Sequence, residues 1–136
     1  MLGSKPTRTT LMKHDVMLAI QQVLPHSLQS YSEDFIKTVL GRDGDATKKV
    51  KSKTKKAGLH ISIGRVTVYV RRFIPENQIR RDCFVIMASF LEYLLVEMFE
   101  VVKSYLEEYT ETCYVTEEVL KIAQSRDRDL SKIFIY

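Results

Sequence analysis

The chain has 136 residues, 45% hydrophobic and 28% charged, with a formal net charge of +4. That leaves room for one domain or one and a fraction, and it is too hydrophobic and too evenly charged for a mainly disordered protein. No apolar run reaches the ~18–20 residues of a membrane span, and the opening MLGSKPTRTT lacks the apolar core of a signal peptide, so a cytosolic, nuclear or particle-borne location is expected. The basic excess is mild and by itself says little about nucleic acid; its distribution matters more. Cys83 and Cys113 have no His or Cys at ligand spacing, so reduced, packed thiols are expected rather than a metal site.

Helical periodicity dominates, and the five Gly and three Pro fall between the apolar stretches. Residues 11–24 predict a helix with Thr10 as its cap and Pro25 as its stop, because proline has no N–H to continue the ladder. A second amphipathic helix is expected over 27–40, carrying Leu28, Tyr31, Phe35, Ile36, Val39 and Leu40, with Gly41 ending it. Residues 42–56 hold almost nothing to bury and read as a linker. Its lysines Lys48, Lys49, Lys51, Lys53, Lys55 and Lys56 repel one another and extend it. Judged alone, that run fits a solvated linker as well as a DNA contact, and the two are compatible.

A short helix is expected over 63–73, with Val66, Val70 and Phe73 on one stripe; Pro75 and Asn77 make 74–81 a loop. A long helix over 82–109 follows, roughly 40 Å at 1.5 Å per residue. Phe84, Met87, Leu91, Leu94, Met98, Val101, Tyr105 and Tyr109 step by threes and fours, giving an expected core seam. Val85, Phe90, Val96, Phe99 and Val102 add apolar surface outside it. A helix apolar over most of its circumference must be covered on several sides, so this one is expected to lie against a partner. Residues 110–115 read as a loop. Thr116 before Glu117 and Glu118 is a helix start; that helix is expected to reach about Gln124, with a short turn through 133–136.

A short, a long and a short helix joined by basic loops carry four specific stretches. They are Ala57-Gly58-Leu59, Gly64-Arg65-Val66, Leu91-Glu92-Tyr93-Leu94 followed by Glu97 and Glu100, and Leu130-Ser131-Lys132-Ile133. On these, residues 57–134 resemble histone H-two-A without a gap. Arg8-Thr9-Thr10-Leu11, Ala19-Ile20 and Val23-Leu24-Pro25 resemble the carboxy-terminal half of histone H-two-B: its second loop, its third helix and the proline after it. The helix over 27–40 would be its carboxy-terminal helix. A B-type half directly followed by an A-type fold is similar to the fused histone doublets of certain giant DNA viruses. Two departures stand out: the B-type half lacks its first and second helices, and the A-type part stops without the family's docking tail. The resemblance implies an all-α protein, a histone fold preceded by two helices from a second histone. Its parts are a partial B-type segment over 1–41, a Lys-rich linker over 42–56 and the A-type fold over 57–136.

In that family the first loop of one partner lies beside the second loop of the other, and together they grip phosphates. The resemblance therefore assigns DNA contact to Arg8, Thr9 and Thr10 on one side and to Arg71, Arg72, Arg80 and Arg81 on the other. Arg65 takes the family's helix-start position, Thr112 matches a second-loop threonine, and Lys53 and Lys56 of the linker join the set. Cys113 stands where the family has an arginine, which weakens that contact. Arginine suits the task because its planar fork donates two hydrogen bonds and keeps its charge. Nothing reads base edges, so contact is expected with backbone and DNA shape. The family's acidic patch, which receives arginine anchors, maps onto Glu92, Glu97, Glu100, Asp127 and Asp129. Arg128 interrupts it and lowers the attracting field.

The expected function is a nucleosome-type histone that compacts double-stranded DNA without sequence specificity, as a viral doublet variant packaging a viral genome. It would act with histone-three-like and histone-four-like folds, in a virion, a viral factory or host chromatin. An alternative is a histone-fold dimerisation subunit of a transcription or chromatin-regulating complex; a helical adaptor without a DNA role is a third reading. His14, His26 and His60 stand without a nucleophile or carboxylate at a repeating spacing, so no enzyme, cofactor, metal, membrane or small-molecule substrate is expected. For the long-helix seam two covers remain open: the helices over 11–24 and 27–40, or a separate histone chain.

Overall fold

A computed structural model describes residues 10–45, 53–75, 78–109 and 114–134. Among them the architecture is all-α, with one short pairing of extended segments. In chain order the elements are β1 (Thr10–Leu11), α1 (Lys13–Val23), α2 (His26–Asp43), α3 (Lys53–Ala57), α4 (Ile63–Phe73), β2 (Gln78–Ile79), α5 (Arg81–Tyr109), α6 (Glu117–Arg126) and α7 (Leu130–Ile133). No helix among the described residues is long and apolar enough to cross a membrane.

Local chemistry explains most boundaries. Thr10 does not cap the first helix, as the sequence suggested, because it is drawn into β1; α1 begins after Met12, whose N–H donates to the Asp15 carboxylate at 2.9 Å. Leu24 is extended, as the residue before a proline must be, and α2 starts directly after Pro25. That helix runs past Gly41, the expected stop, and ends at Gly44. A glycine inside a helix costs only about 1 kcal/mol. The extra turn is held by buried Val39 and by Asp43, whose two oxygens meet the Arg81 guanidinium at 2.7 and 2.8 Å.

The expected linker is also shorter than its composition suggested. Residues 53–57 form the single turn α3, because Ala57 and Leu59 find a core to enter and are 0% and 5% exposed. Gly58 reverses the chain there at φ 73°, in the left-handed region open to glycine. The Thr54 hydroxyl accepts the Ile63 N–H at 3.1 Å, tying α3 to the start of α4. The Ser62 hydroxyl then caps α4 by accepting the Arg65 N–H. At the other end Thr116 caps α6 through the Val119 N–H, and α6 reaches Arg126 rather than Gln124. Asp127 caps the final turn, accepting the N–H groups of Asp129 and Leu130.

Two apolar clusters share the first half of α5. One joins Val16, Ile20, Leu24, Leu28 and Ile36 to Cys83, Ile86, Tyr93 and Leu94. The other joins Val39, Ala57, Leu59, Ile63 and Val66 to Phe84, Val85 and Ala88. The helices before the linker therefore do cover part of α5, which settles the first of the two alternatives for that half. This double wrapping corrects the single seam: Ile86 and Val85 are fully buried, whereas Leu91 and Tyr109 of the expected seam are 43% and 51% exposed. A side chain such as Ile86 or Ile36, fully buried, contributes about 1.5–3 kcal/mol. Over its second half α5 is met by α6, where Val102 and Ala123 are buried.

Candidate nucleic-acid interface

The two segments expected to grip phosphates lie side by side. β1 and β2 pair in parallel, Thr10 opposite Gln78 and Leu11 opposite Ile79. The Arg80 N–H donates to the Leu11 carbonyl at 3.2 Å, and the Thr10 hydroxyl to the Gln78 side-chain oxygen at 3.4 Å. The same Leu11 carbonyl accepts the Cys83 thiol at 3.4 Å; burial pushes that thiol's pKa up and keeps it a donor. Because the pairing is parallel and a helix follows each strand at once, the amino-terminal ends of α1 and α5 emerge together. Helix amino termini carry partial positive charge. Here Asp15, on the Met12 N–H, and Asp82 in the first turn of α5 offset part of it.

The arginines divide into two groups. Arg65, Arg72 and Arg80 are exposed; Arg80 follows β2 directly and Arg72 is in the last turn of α4, whereas Arg65 stands in the first turn of α4, beside Leu91. Arg71 is half-buried, its guanidinium 5.6 Å from the Phe84 ring centroid. Arg81 has a different task from the phosphate contact expected of it. Its fork is filled by Asp43, 7% exposed, and that hydrogen-bonded pairing raises its pKa. Sequence reasoning missed Asp43 because it lies in what read as linker; nothing local marked it. Lys56 is half-buried on α3. Arg8, Thr9, Thr112, Cys113 and the Lys53 side chain lie outside the described residues.

The five expected patch carboxylates do not form one open surface. Glu92 is buried and turned to the backbone: one oxygen accepts the N–H groups of His60 and Ile61, at 2.5 and 2.9 Å. The other lies 3.6 Å from the His60 ring. Glu92 therefore fixes the loop before α4 and is not a docking carboxylate. Asp127 caps α7, and Asp129 accepts the Ser27 hydroxyl at 2.7 Å, joining α2 to the last turn. Glu97, Glu100 and Asp127 line a groove of about 440 Å³ with Glu108, Tyr105 and Tyr109. Arg126 lies in that groove, 4.2 Å above the Tyr109 ring and 6.0 Å from the Tyr105 ring. A cation thus sits among the carboxylates from α6, at Arg126, two residues before the expected interruption at Arg128.

Among the described residues no group of three His, Cys, Asp or Glu side chains could hold a metal ion. No protein-family model matches the chain.

Proposed function

We propose that this chain is a histone-type protein that binds and compacts double-stranded DNA through its backbone, built as an A-type histone fold preceded by part of a B-type histone. The reading includes its action with histone-three-like and histone-four-like folds and the packaging of a viral genome. The observation that carries it is the parallel pairing of Thr10–Leu11 with Gln78–Ile79. It joins segments 68 residues apart and leaves Arg80 and Thr10 exposed at one edge, as two paired phosphate-gripping loops require. The short α4, long α5 and short α6, with α4 and α6 each packed on α5, support the same reading. Contacts of this kind are with phosphate, so affinity follows salt and not sequence.

The test is assembly on DNA with histone partners, followed by nuclease digestion and salt titration. Long, regular protected lengths irrespective of sequence are expected. Each phosphate contact contributes about 0.9 to the slope of log affinity against log salt, so Arg72→Ala with Arg80→Ala lowers it by up to about 2. Assembly without protection favours the dimerisation-subunit reading, and an unchanged slope removes these two arginines from the interface.

A further inference from the structure

The outer face of α4 presents two aromatic rings to solvent. Its inner face, carrying Ile63, Val66 and Val70, packs into the core cluster that includes Phe84, Val85 and Ala88 of α5. On the other side Tyr69 and Phe73 are 60% and 70% exposed, and their ring centroids lie 5.2 Å apart with the planes at 56°. Large rings left side by side in water mark an interaction site. The charge around them has one sign: residues 53–75 hold three lysines and three arginines and no carboxylate side chain. Arg65 and Arg72 line one groove of about 430 Å³ together with Tyr69. The two arginines stand about 10 Å apart along the helix axis, with Tyr69 between them. An uninterrupted positive field attracts a polyanion. Exposed rings within that field suit a polyanion that also offers flat faces, which is the chemistry of unpaired bases on a phosphate backbone.

We propose that Tyr69 and Phe73 form a stacking platform for the bases of single-stranded nucleic acid, with Arg65 and Arg72 taking the phosphates along its flank. Because the rings are tilted to one another, one base lies on each. Duplex DNA does not offer this contact, since each base face is covered by its neighbour in the stack. A membrane surface fits less well: an interfacial helix sinks a broad apolar face into lipid, and that face of α4 is already buried in the core. The inference does not rest on the compaction of duplex DNA, in which neither ring takes part. No duplex enters its test, so either can fail alone.

The experiment is fluorescence anisotropy of the purified full chain with a labelled oligothymidylate and with an abasic sugar–phosphate strand of equal length, circular dichroism verifying helicity in each variant. The parent chain binds the oligothymidylate more tightly than the abasic strand. Tyr69→Ala with Phe73→Ala weakens oligothymidylate binding about tenfold or more, while the abasic strand and the salt slope are unaffected. Arg65→Ala with Arg72→Ala instead lowers the slope for both strands, by up to about 1.4 at about 0.7 per phosphate. The chain has no tryptophan, so Tyr69→Trp places a single indole on the platform, and its fluorescence is quenched by the oligothymidylate and not by the abasic strand. Three results would overturn the proposal: equal parent affinity for the two strands, an aromatic double variant that binds the oligothymidylate like the parent, or an indole left unquenched. Binding to phosphatidylserine vesicles that the same aromatic double variant abolishes would assign the face to a membrane, and would overturn it as well.

Discussion

Glu92 is the residue whose role changes most between sequence and structure, and its replacement gives a quantitative test. One buried oxygen accepts two backbone N–H groups, from His60 and Ile61. Hydrogen bonds to a charged group contribute about 1.5–3 kcal/mol each. The His60 side chain is open to water, at 94% exposure, so water reaches this loop when the carboxylate is removed and the lower figure applies. Glu92→Ala therefore costs about 3 kcal/mol. Glu92→Gln keeps an acceptor oxygen at the same reach, and costs about 1 kcal/mol for the lost charge. Urea unfolding of both variants, read by circular dichroism at matched protein concentration, gives the two numbers. Equal losses would show that charge, and not acceptor position, is what Glu92 supplies. A loss below about 0.5 kcal/mol for Glu92→Ala, the range of an ordinary surface change, would return Glu92 to the exposed acidic set.

Arg81→Ala takes the guanidinium fork from the buried Asp43 carboxylate and destabilises the fold by about 3 kcal/mol, the lower end of the range for a broken buried pair because Arg81 itself is 49% exposed; equal stability in urea would contradict this. Gly58→Ala puts a Cβ 2.6 Å from the Arg42 guanidinium at a positive φ, costing about 1–2 kcal/mol, and a neutral result would mean that the turn is not held in that conformation. Burial raises the Tyr93 pKa, nearby Glu97 adds to the effect without reaching hydrogen-bond geometry, and the hydroxyl has no hydrogen-bond partner among the described residues. A raised folded pKa gives stability that is complete below the unfolded tyrosine value near ~10 and is lost as pH rises above it. Tyr93→Phe should therefore flatten the alkaline loss without lowering stability at neutral pH; an unchanged alkaline profile would remove Tyr93 as its cause.

What the sequence revealed depended on whether the cause was local. The bounds of α4 agree with the expected 63–73, because Ser62, the apolar stripe and Ile74-Pro75 all act within a few residues. The long helix was equally legible. Its buried face was not, since burial depends on which elements lie against it: Ile86 faces α1 and α2, and Val85 faces α3 and α4. Gly41 failed as a stop and 53–57 failed as linker for the same reason, each being overruled by contacts with distant partners, Arg81 in one case and the second core cluster in the other. At the interface the sequence placed Thr10 and Arg80 together through resemblance, yet it could not separate exposed Arg80 from Arg81, one residue later and committed to Asp43. Glu92 was misplaced likewise, because a helical wheel does not reveal that backbone amides wait opposite it.

The pairing of β1 with β2 is too small to hold itself together. Closing a loop of 68 residues costs about 4 kcal/mol in chain entropy before any constant is added. A backbone hydrogen bond returns about 1 kcal/mol net, and the Arg80 N–H bond to the Leu11 carbonyl is one of very few here. The balance comes from beneath, where half-buried Leu11 and Ile79 pack on the cluster that includes Ile20, Cys83 and Ile86. The core therefore sets how Thr10 and Arg80 are placed, and the exposed contacts decorate an arrangement already fixed. This orders two perturbations. Gln78→Ala removes the Thr10 contact at the surface and changes stability by less than about 0.5 kcal/mol. Ile86→Ala, far below the edge, costs about 2–5 kcal/mol and also loosens the pairing. Hydrogen exchange at the Arg80 amide reads the second effect directly: slow in the parent chain and in Gln78→Ala, accelerated in Ile86→Ala in proportion to the stability lost. If Gln78→Ala accelerated that amide more than Ile86→Ala, the pairing would be held by its own edge, and the dependence of the interface on the core would be wrong.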